Sequence, residues 1–87
     1  MIEREVVVGH RLGVHARAAA RVVQLAGQYE SSIVLLRNDR DHGGAADARS
    51  ILSILLLAAA HGSTLRVRAE GADEGEAVHC ICEYLKG

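Results

Sequence analysis

The sequence predicts an α+β fold in which one β-sheet carries helices packed on one face, in the order β-α-β-(β)-α-β-α. Three observations predict it. Thr64 to Glu70 alternates, with Leu65, Val67 and Ala69 on one side and Arg66, Arg68 and Glu70 on the other, the pattern of a half-buried antiparallel-type strand. Ala16 to about Gln28 instead repeats its apolar residues at helical spacing. Short polar connections separate strand-like from helix-like stretches along the chain, with no repeat, linker or low-complexity segment. The 87 residues, 49% hydrophobic and 24% charged, fit one small globular domain spanning 1–87.

Taken in order, Ile2 to Val8 reads as the first strand, with Ile2, Val6 and Val8 on one side, Arg4 as the exception, and Glu3 and Glu5 outward. Gly9 to Val14 is a loop. The helix that follows presents Ala19, Val22, Val23 and Ala26 as its core stripe, and small residues at Ala16, Ala19 and Ala20 allow close packing on the sheet. Ser32 to Arg37 is a second strand with Ile33 and Leu35 inward. Asn38 to Gly44 is a polar turn, and Ala45-Ala46 a short edge strand. A second helix is expected from near Asp47 or Arg49 to Gly62, a good stop signal. Its middle, Ile51 to Ala58, is apolar nearly all round. Because a helix of a small domain buries one face, some of these side chains must be exposed, as on a docking surface. After the Thr64–Glu70 strand, Asp73 caps a third helix with Glu76 in capping-box position, and Ala77, Ile81, Tyr84 and Leu85 form its inner stripe.

The bulk numbers exclude several functions. A net charge of −1, no Trp or Phe and only two Tyr argue against a nucleic-acid partner. The longest apolar run, Ile51 to Ala60, is too short to span a membrane, so no direct membrane insertion is expected. Met1 to Glu5 carries charges of both signs and leads into no signal-peptide core, which makes the cytoplasm the default location. Cys80 and Cys82 point to different helix faces and read as reduced, partly buried thiols. His79-Cys80-Ile81-Cys82 lacks zinc-ligand spacing, so neither metal nor cofactor is expected.

The chemistry centres on Gly13-Val14-His15-Ala16-Arg17-Ala18. His15 lies just ahead of a helix N-terminus, where free N–H groups and the helix dipole favour an anion. Arg17, two residues on, can add charge-assisted hydrogen bonds to phosphate oxygens. A neutral imidazole is a good nucleophile near neutral pH. A nucleophile inside an anion site points to a histidine that takes up and passes on a phosphoryl group. Arg11, Arg17, Arg21 and Arg49 can form a local positive patch, whereas His10, His42, His61 and His79 read as surface or turn residues.

These residues resemble HPr, the family of histidine-containing phosphocarriers of the phosphoenolpyruvate-dependent sugar phosphotransferase system. Gly13-Val14-His15-Ala16-Arg17 is similar to the family's Gly-Leu-His-Ala-Arg phosphorylation motif. Ala48-Arg49-Ser50-Ile51-Leu52 is similar to its Lys-Ser-Ile-Leu/Met motif, which holds a regulatory serine, and Ala69 to Glu74 to its junction between last strand and last helix. The resemblance implies an open-faced β-sandwich, a four-stranded antiparallel sheet covered on one face by three helices. It implies that His15 receives a phosphoryl group on Nδ1 from phospho-Enzyme I and hands it to an enzyme IIA domain, with Arg17 and the helix start at Ala16 holding the oxygens. The carrier is then a reactant with no turnover of its own, and is expected to work as a monomer. Ala16, Ala20, Gln24, Arg49, Ile51, Leu52 and Leu55 would form the docking face. Ser50 is either a helix cap alone or also a regulatory site for an HPr kinase/phosphorylase.

Four departures stand out. Ala18 occupies the family's proline position, which loosens the entry to the helix; the stretch before Ser50 is longer by about four residues, placed at Asn38 to His42; Leu56 and Ala58 replace Ser and Gly; and Arg49 replaces lysine. The rival readings are a regulatory branch (nitrogen-related or dihydroxyacetone kinase phosphotransferase systems), a binding module without phosphohistidine, and, least supported, a true His/Cys enzyme.

Overall fold

The computed structural model describes residues 1–38 and 43–87. Of the turn expected over Asn38 to Gly44, Asn38 belongs to a strand that begins at Ser32, and Gly43 and Gly44 to one that ends at Asp47; residues 39–42, with most of the stretch given the extra residues and the surface role of His42, lie outside the described residues. The elements are β1 (Ile2–Val7), α1 (Ala16–Ala26), β2 (Ser32–Asn38), β3 (Gly43–Asp47), α2 (Ile51–Leu56), β4 (Thr64–Glu70) and α3 (Glu74–Lys86). The strands form one sheet in the order β1-β4-β2-β3, and every neighbouring pair is antiparallel. This is the predicted open-faced sandwich. The weak Ala45-Ala46 strand is real, lengthened to Gly43–Asp47 and placed at the sheet edge.

Register places the core. Val6 faces Leu65 across β1 and β4, Ile33 and Leu35 face Ala69 and Val67 across β2 and β4, and Leu35 faces Ala46 across β2 and β3. All of these are buried, as the two-residue period requires. The opposite face carries ion pairs, Glu3 with Arg66 at 3.4 Å and with Arg68 at 2.9 Å. Ile2, expected inward, is exposed although it pairs with Ala69 at the start of β1. In α1 the buried residues are Ala18, Ala19, Val22, Leu25 and Ala26, while Val23 is half-buried at the edge of the stripe. α3 buries Ala77, Val78, Ile81, Cys82 and Leu85, with Tyr84 packed alongside. Burial raises the pKa of the Cys82 thiol, in keeping with its role as a small core side chain. Among the described residues no helix is long and apolar enough to cross a membrane.

The second and third helices also need correction. The second helix spans six residues, Ile51–Leu56, and does not run to Gly62. Its end is set by distant partners. Arg37 Nη1 donates to the carbonyls of Leu57 and Ala58 at 2.7 and 2.6 Å, and the Val14 N–H donates to the Ala59 carbonyl at 2.9 Å. Those carbonyls would otherwise accept from the next helical turn. Ala58 is left in the left-handed region at φ 53°. A Cβ there costs roughly 1–2 kcal/mol, part of which a glycine relieves. Ala58→Gly should therefore stabilise the fold by about 0.5–1 kcal/mol, read as a higher urea midpoint with an unchanged slope.

The capping box at α3 also does not form. Asp73 is the N-cap residue but makes no side-chain cap bond. Its carboxylate instead accepts the Glu30 N–H at 2.9 Å, the Ser31 N–H at 3.0 Å and the Ser31 hydroxyl, tying α3 to the start of β2. Glu74, not Glu76, reaches back, accepting the Gly71 N–H at 3.2 Å. The Ser31 hydroxyl, followed by the Glu30 N–H, holds the Asp73 pKa below its ordinary 3.8. A depressed folded-state pKa gives stability that is complete above the unfolded value and is lost as pH falls through the folded one. Native stability should thus drop more steeply than that of Asp73→Asn on acidification from about pH 4 to pH 2, in urea titrations at each pH.

Candidate functional site

His15 ends the loop after β1 and is the N-cap of α1, with extended backbone (φ −85°, ψ −175°). Its carbonyl accepts the Ala19 N–H at 2.8 Å, the first bond of the helix. The N–H groups of Ala16, Arg17 and Ala18 precede that bond and cluster around the helix start. His15 Nδ1 accepts one of them, the Arg17 N–H, at 3.3 Å. An accepting ring nitrogen carries a lone pair, so the neutral ring holds its proton on Nε2. The contact is long for an N–H bond, which leaves Nδ1 weakly engaged. The ring is half-buried, and Arg17 is exposed beside it.

The loop that carries His15 is fixed on both sides. The Gly9 N–H donates to the Leu85 carbonyl at 2.9 Å, and His10 Nε2 donates to the Tyr84 carbonyl at 2.7 Å. The His10 ring also lies against Tyr84, with centroids 4.7 Å apart, so His10 is a half-buried anchor and not the surface residue expected. Gly13 adopts φ +74°, and its backbone passes so close to the segment after α2 that a Cβ would stand 2.6 Å from the Ala59 oxygen. Val14, buried, donates to that same oxygen at 2.9 Å.

These contacts set α1 and α2 antiparallel. Val14, ahead of α1, touches Ala59, beyond α2. At the other end Arg49, ahead of α2, donates from Nη2 to the carbonyls of Ala26 (3.3 Å), Tyr29 (2.6 Å) and Ser31 (3.2 Å) around the end of α1. His15 therefore stands beside the C-terminal end of α2, with Ser50 and Ile51 toward the far end. Ala16 and Gln24 are exposed and Ala20 half-buried on α1; Ile51 and Leu52 are exposed and Leu55 half-buried on α2. The six lie on the two adjacent helices, as grouped from sequence. Arg49 differs from them. Its guanidinium braces the negative end of α1, where the helix has no basic residue of its own. Leu12 at 77% exposed and Leu56 at 76% also border His15's end of the face and were not in the sequence-based set. Their signal was an apolar residue in a polar loop and an apolar residue on a helix already too greasy to bury. Ser50 is the N-cap of α2, its hydroxyl accepting the Ser53 N–H at 3.2 Å.

Charge is segregated around this face. No Asp or Glu occurs between Glu5 and Glu30 or between Asp47 and Glu70, so the α1–α2 segments carry cations only. Acidic groups pair elsewhere: Glu3 with the β4 arginines, Glu74 with the amino terminus at 2.9 Å, and Glu83 with Lys86 at 2.9 Å. Despite a net charge of −1, the segment from Val6 to Tyr29 that contains His15 carries no carboxylate side chain.

Fold and site together match one class, the small phosphocarrier proteins. The family model described as the PTS HPr component phosphorylation site matches residues 2–87. The phosphocarrier protein HPr of Cupriavidus necator is 40% identical over 85 residues, covering 98% of this chain and 91% of that protein. The phosphocarrier protein NPr of Shewanella violacea is 32% identical over 84 residues, covering 97% of this chain and 88% of that one. The crystal structure of a phosphocarrier protein HPr from Bacillus anthracis superposes with a TM-score of 0.88 at 31% identity, over 97% of this chain and 95% of that one. The chain belongs to the HPr family of the phosphotransferase system.

Proposed function

We propose that the chain, acting as a single monomeric domain, accepts a phosphoryl group on His15 Nδ1 from phospho-Enzyme I and passes it to an enzyme IIA domain in sugar uptake. The observation that carries this reading is Nδ1 itself, an accepting nitrogen on the Arg17 N–H at the start of α1. In the forward step the Nδ1 lone pair attacks phosphorus in line. The N–P bond forms as the donor's bond to phosphorus breaks and its electron pair leaves with the donor, while the proton on Nε2 stays. The Arg17 N–H, released from Nδ1, is free to donate to a phosphoryl oxygen, and the Arg17 guanidinium adds charge-assisted bonds. Transfer onward reverses these roles. The α1 and α2 segments, without Asp or Glu and with Ile51, Leu52 and Leu56 exposed, suit transient docking of acidic partners.

The test is incubation of the native chain with phosphoenolpyruvate and Enzyme I from the same source. Acid-labile, base-stable label on one histidine, identified as the Nδ1 isomer by ³¹P NMR, is the expected result. No label under those conditions would sink the carrier reading. The match to an NPr favours one second reading, a nitrogen-related regulatory branch with the same histidine chemistry. Parallel assays with a sugar-branch and a nitrogen-branch Enzyme I separate the two by which one phosphorylates the chain faster. Ser50 keeps its hydroxyl half-exposed at the start of α2, so a kinase acting there remains compatible with its capping role.

A further inference from the structure

We infer that Arg37, on β2, is a positioning residue for His15, acting through the turn that follows α2; the inference rests on the carrier reading above. Arg37 is placed on the core side of the sheet by simple alternation, in line with the buried Ile33 and Leu35. A cation at such a position needs partners, and its guanidinium Nη1 donates to the carbonyls of Leu57 and Ala58 at 2.7 and 2.6 Å. Across the ladder it faces Gly44, where a Cβ would already stand 3.3 Å from Leu57 Cδ2. The glycine lets Leu57 come down onto the sheet within reach of Arg37. The two carbonyls flank the strained residue of the turn, Ala58 at φ 53°. The next residue, Ala59, is 4% exposed and accepts the Val14 N–H at 2.9 Å, one residue before His15. The path is short and continuous: Arg37, the Leu57–Ala58 carbonyls, Ala59, Val14, His15. Arg37 holds a turn that an L-residue disfavours, and that turn sets the height of the His15 loop against α2. A carrier that works by alignment in two successive complexes is sensitive to that placement.

The experiment compares Arg37→Met, which keeps the apolar stem, with Arg37→Lys, which keeps one charge but loses the fork, and with Arg68→Met as a surface control. Long-range ¹H–¹⁵N spectra of the His15 ring and initial rates of phosphorylation by Enzyme I are recorded at matched folded fraction. Arg37→Met should shift the His15 ring resonances and slow phosphorylation by about ten-fold, with Arg37→Lys between it and the native chain and Arg68→Met unchanged. Adding Ala58→Gly to Arg37→Met should recover most of the rate, because glycine adopts the turn without the strap. Unmoved His15 resonances and an unchanged rate in folded Arg37→Met or Arg37→Lys overturn the inference, as does a rate loss that glycine leaves untouched. If the native chain takes no phosphate, the carrier reading fails by itself, and the ring resonances still decide whether Arg37 positions His15.

Discussion

His15→Ala should take up no phosphoryl group from Enzyme I while remaining folded. The substitution removes the nitrogen proposed as the nucleophile, and nothing within the same loop replaces it. His10, five residues earlier, is committed to the Tyr84 carbonyl through Nε2 and packed on the Tyr84 ring, away from the helix start. The structural cost should be small. His15 caps α1 through one long contact from the Arg17 N–H at 3.3 Å, so losing it costs at most about 1 kcal/mol, the scale of an ordinary cap. The first helical bond, from Ala19 to the backbone carbonyl of residue 15, does not depend on the side chain. Chemistry and stability therefore separate. Labelled phosphoenolpyruvate should mark the native chain and leave the variant blank, while urea denaturation moves by no more than that 1 kcal/mol. Residual base-stable label on His15→Ala would place the phosphoryl group on another histidine and overturn the assignment.

The contrast between His15 and its support shows what the sequence made legible. The alternation of Thr64–Glu70, the α1 stripe and the histidine ahead of it were readable because each is a local pattern with one physical meaning. The weak second helix boundary was not. Ala58-Ala59-Ala60 favours helix, and no breaker precedes Gly62, so local propensity continues the helix. The chain stops at Leu56 because Arg37 from another strand and Val14 from another loop take the next carbonyls. Contacts across 20 and 45 residues override propensity there, and no window along the chain contains them. The same holds for Asp73. The Asp-x-x-Glu spacing is a sound cap signal, but Glu30 and Ser31, brought in by the fold, offer the carboxylate two backbone N–H groups and the Ser31 hydroxyl instead. Arg49 and His10 were readable as polar surface residues only because the carbonyls they serve are invisible until α1 and α3 are placed.

Gly13→Val should damage the fold and the placement of His15 together. At φ +74° any side chain meets the left-handed penalty, and a β-branched one meets it most severely. The space is also filled. A Cβ at this position would stand 2.6 Å from the Ala59 oxygen and 3.0 Å from the Ala60 Cα, and both are backbone atoms with no rotamer to turn. Relief requires the loop and the post-α2 turn to move apart. That motion breaks the Val14 N–H bond to Ala59 and opens the packing around buried Val14 and Ala59. Strain of roughly 1–3 kcal/mol for the backbone and a similar amount for overpacking give a loss of about 2–6 kcal/mol, a large part of the stability of a small domain. Gly13→Ala should show the same direction at the lower end of that range. Unlike His15→Ala, both variants should lose stability and phosphoryl uptake together, because the surface that spaces the loop from α2 is also the surface that presents Nδ1. Equal urea midpoints for native and Gly13→Val would show that the loop is not clamped against Ala59, and the account of how His15 is held would fall with it.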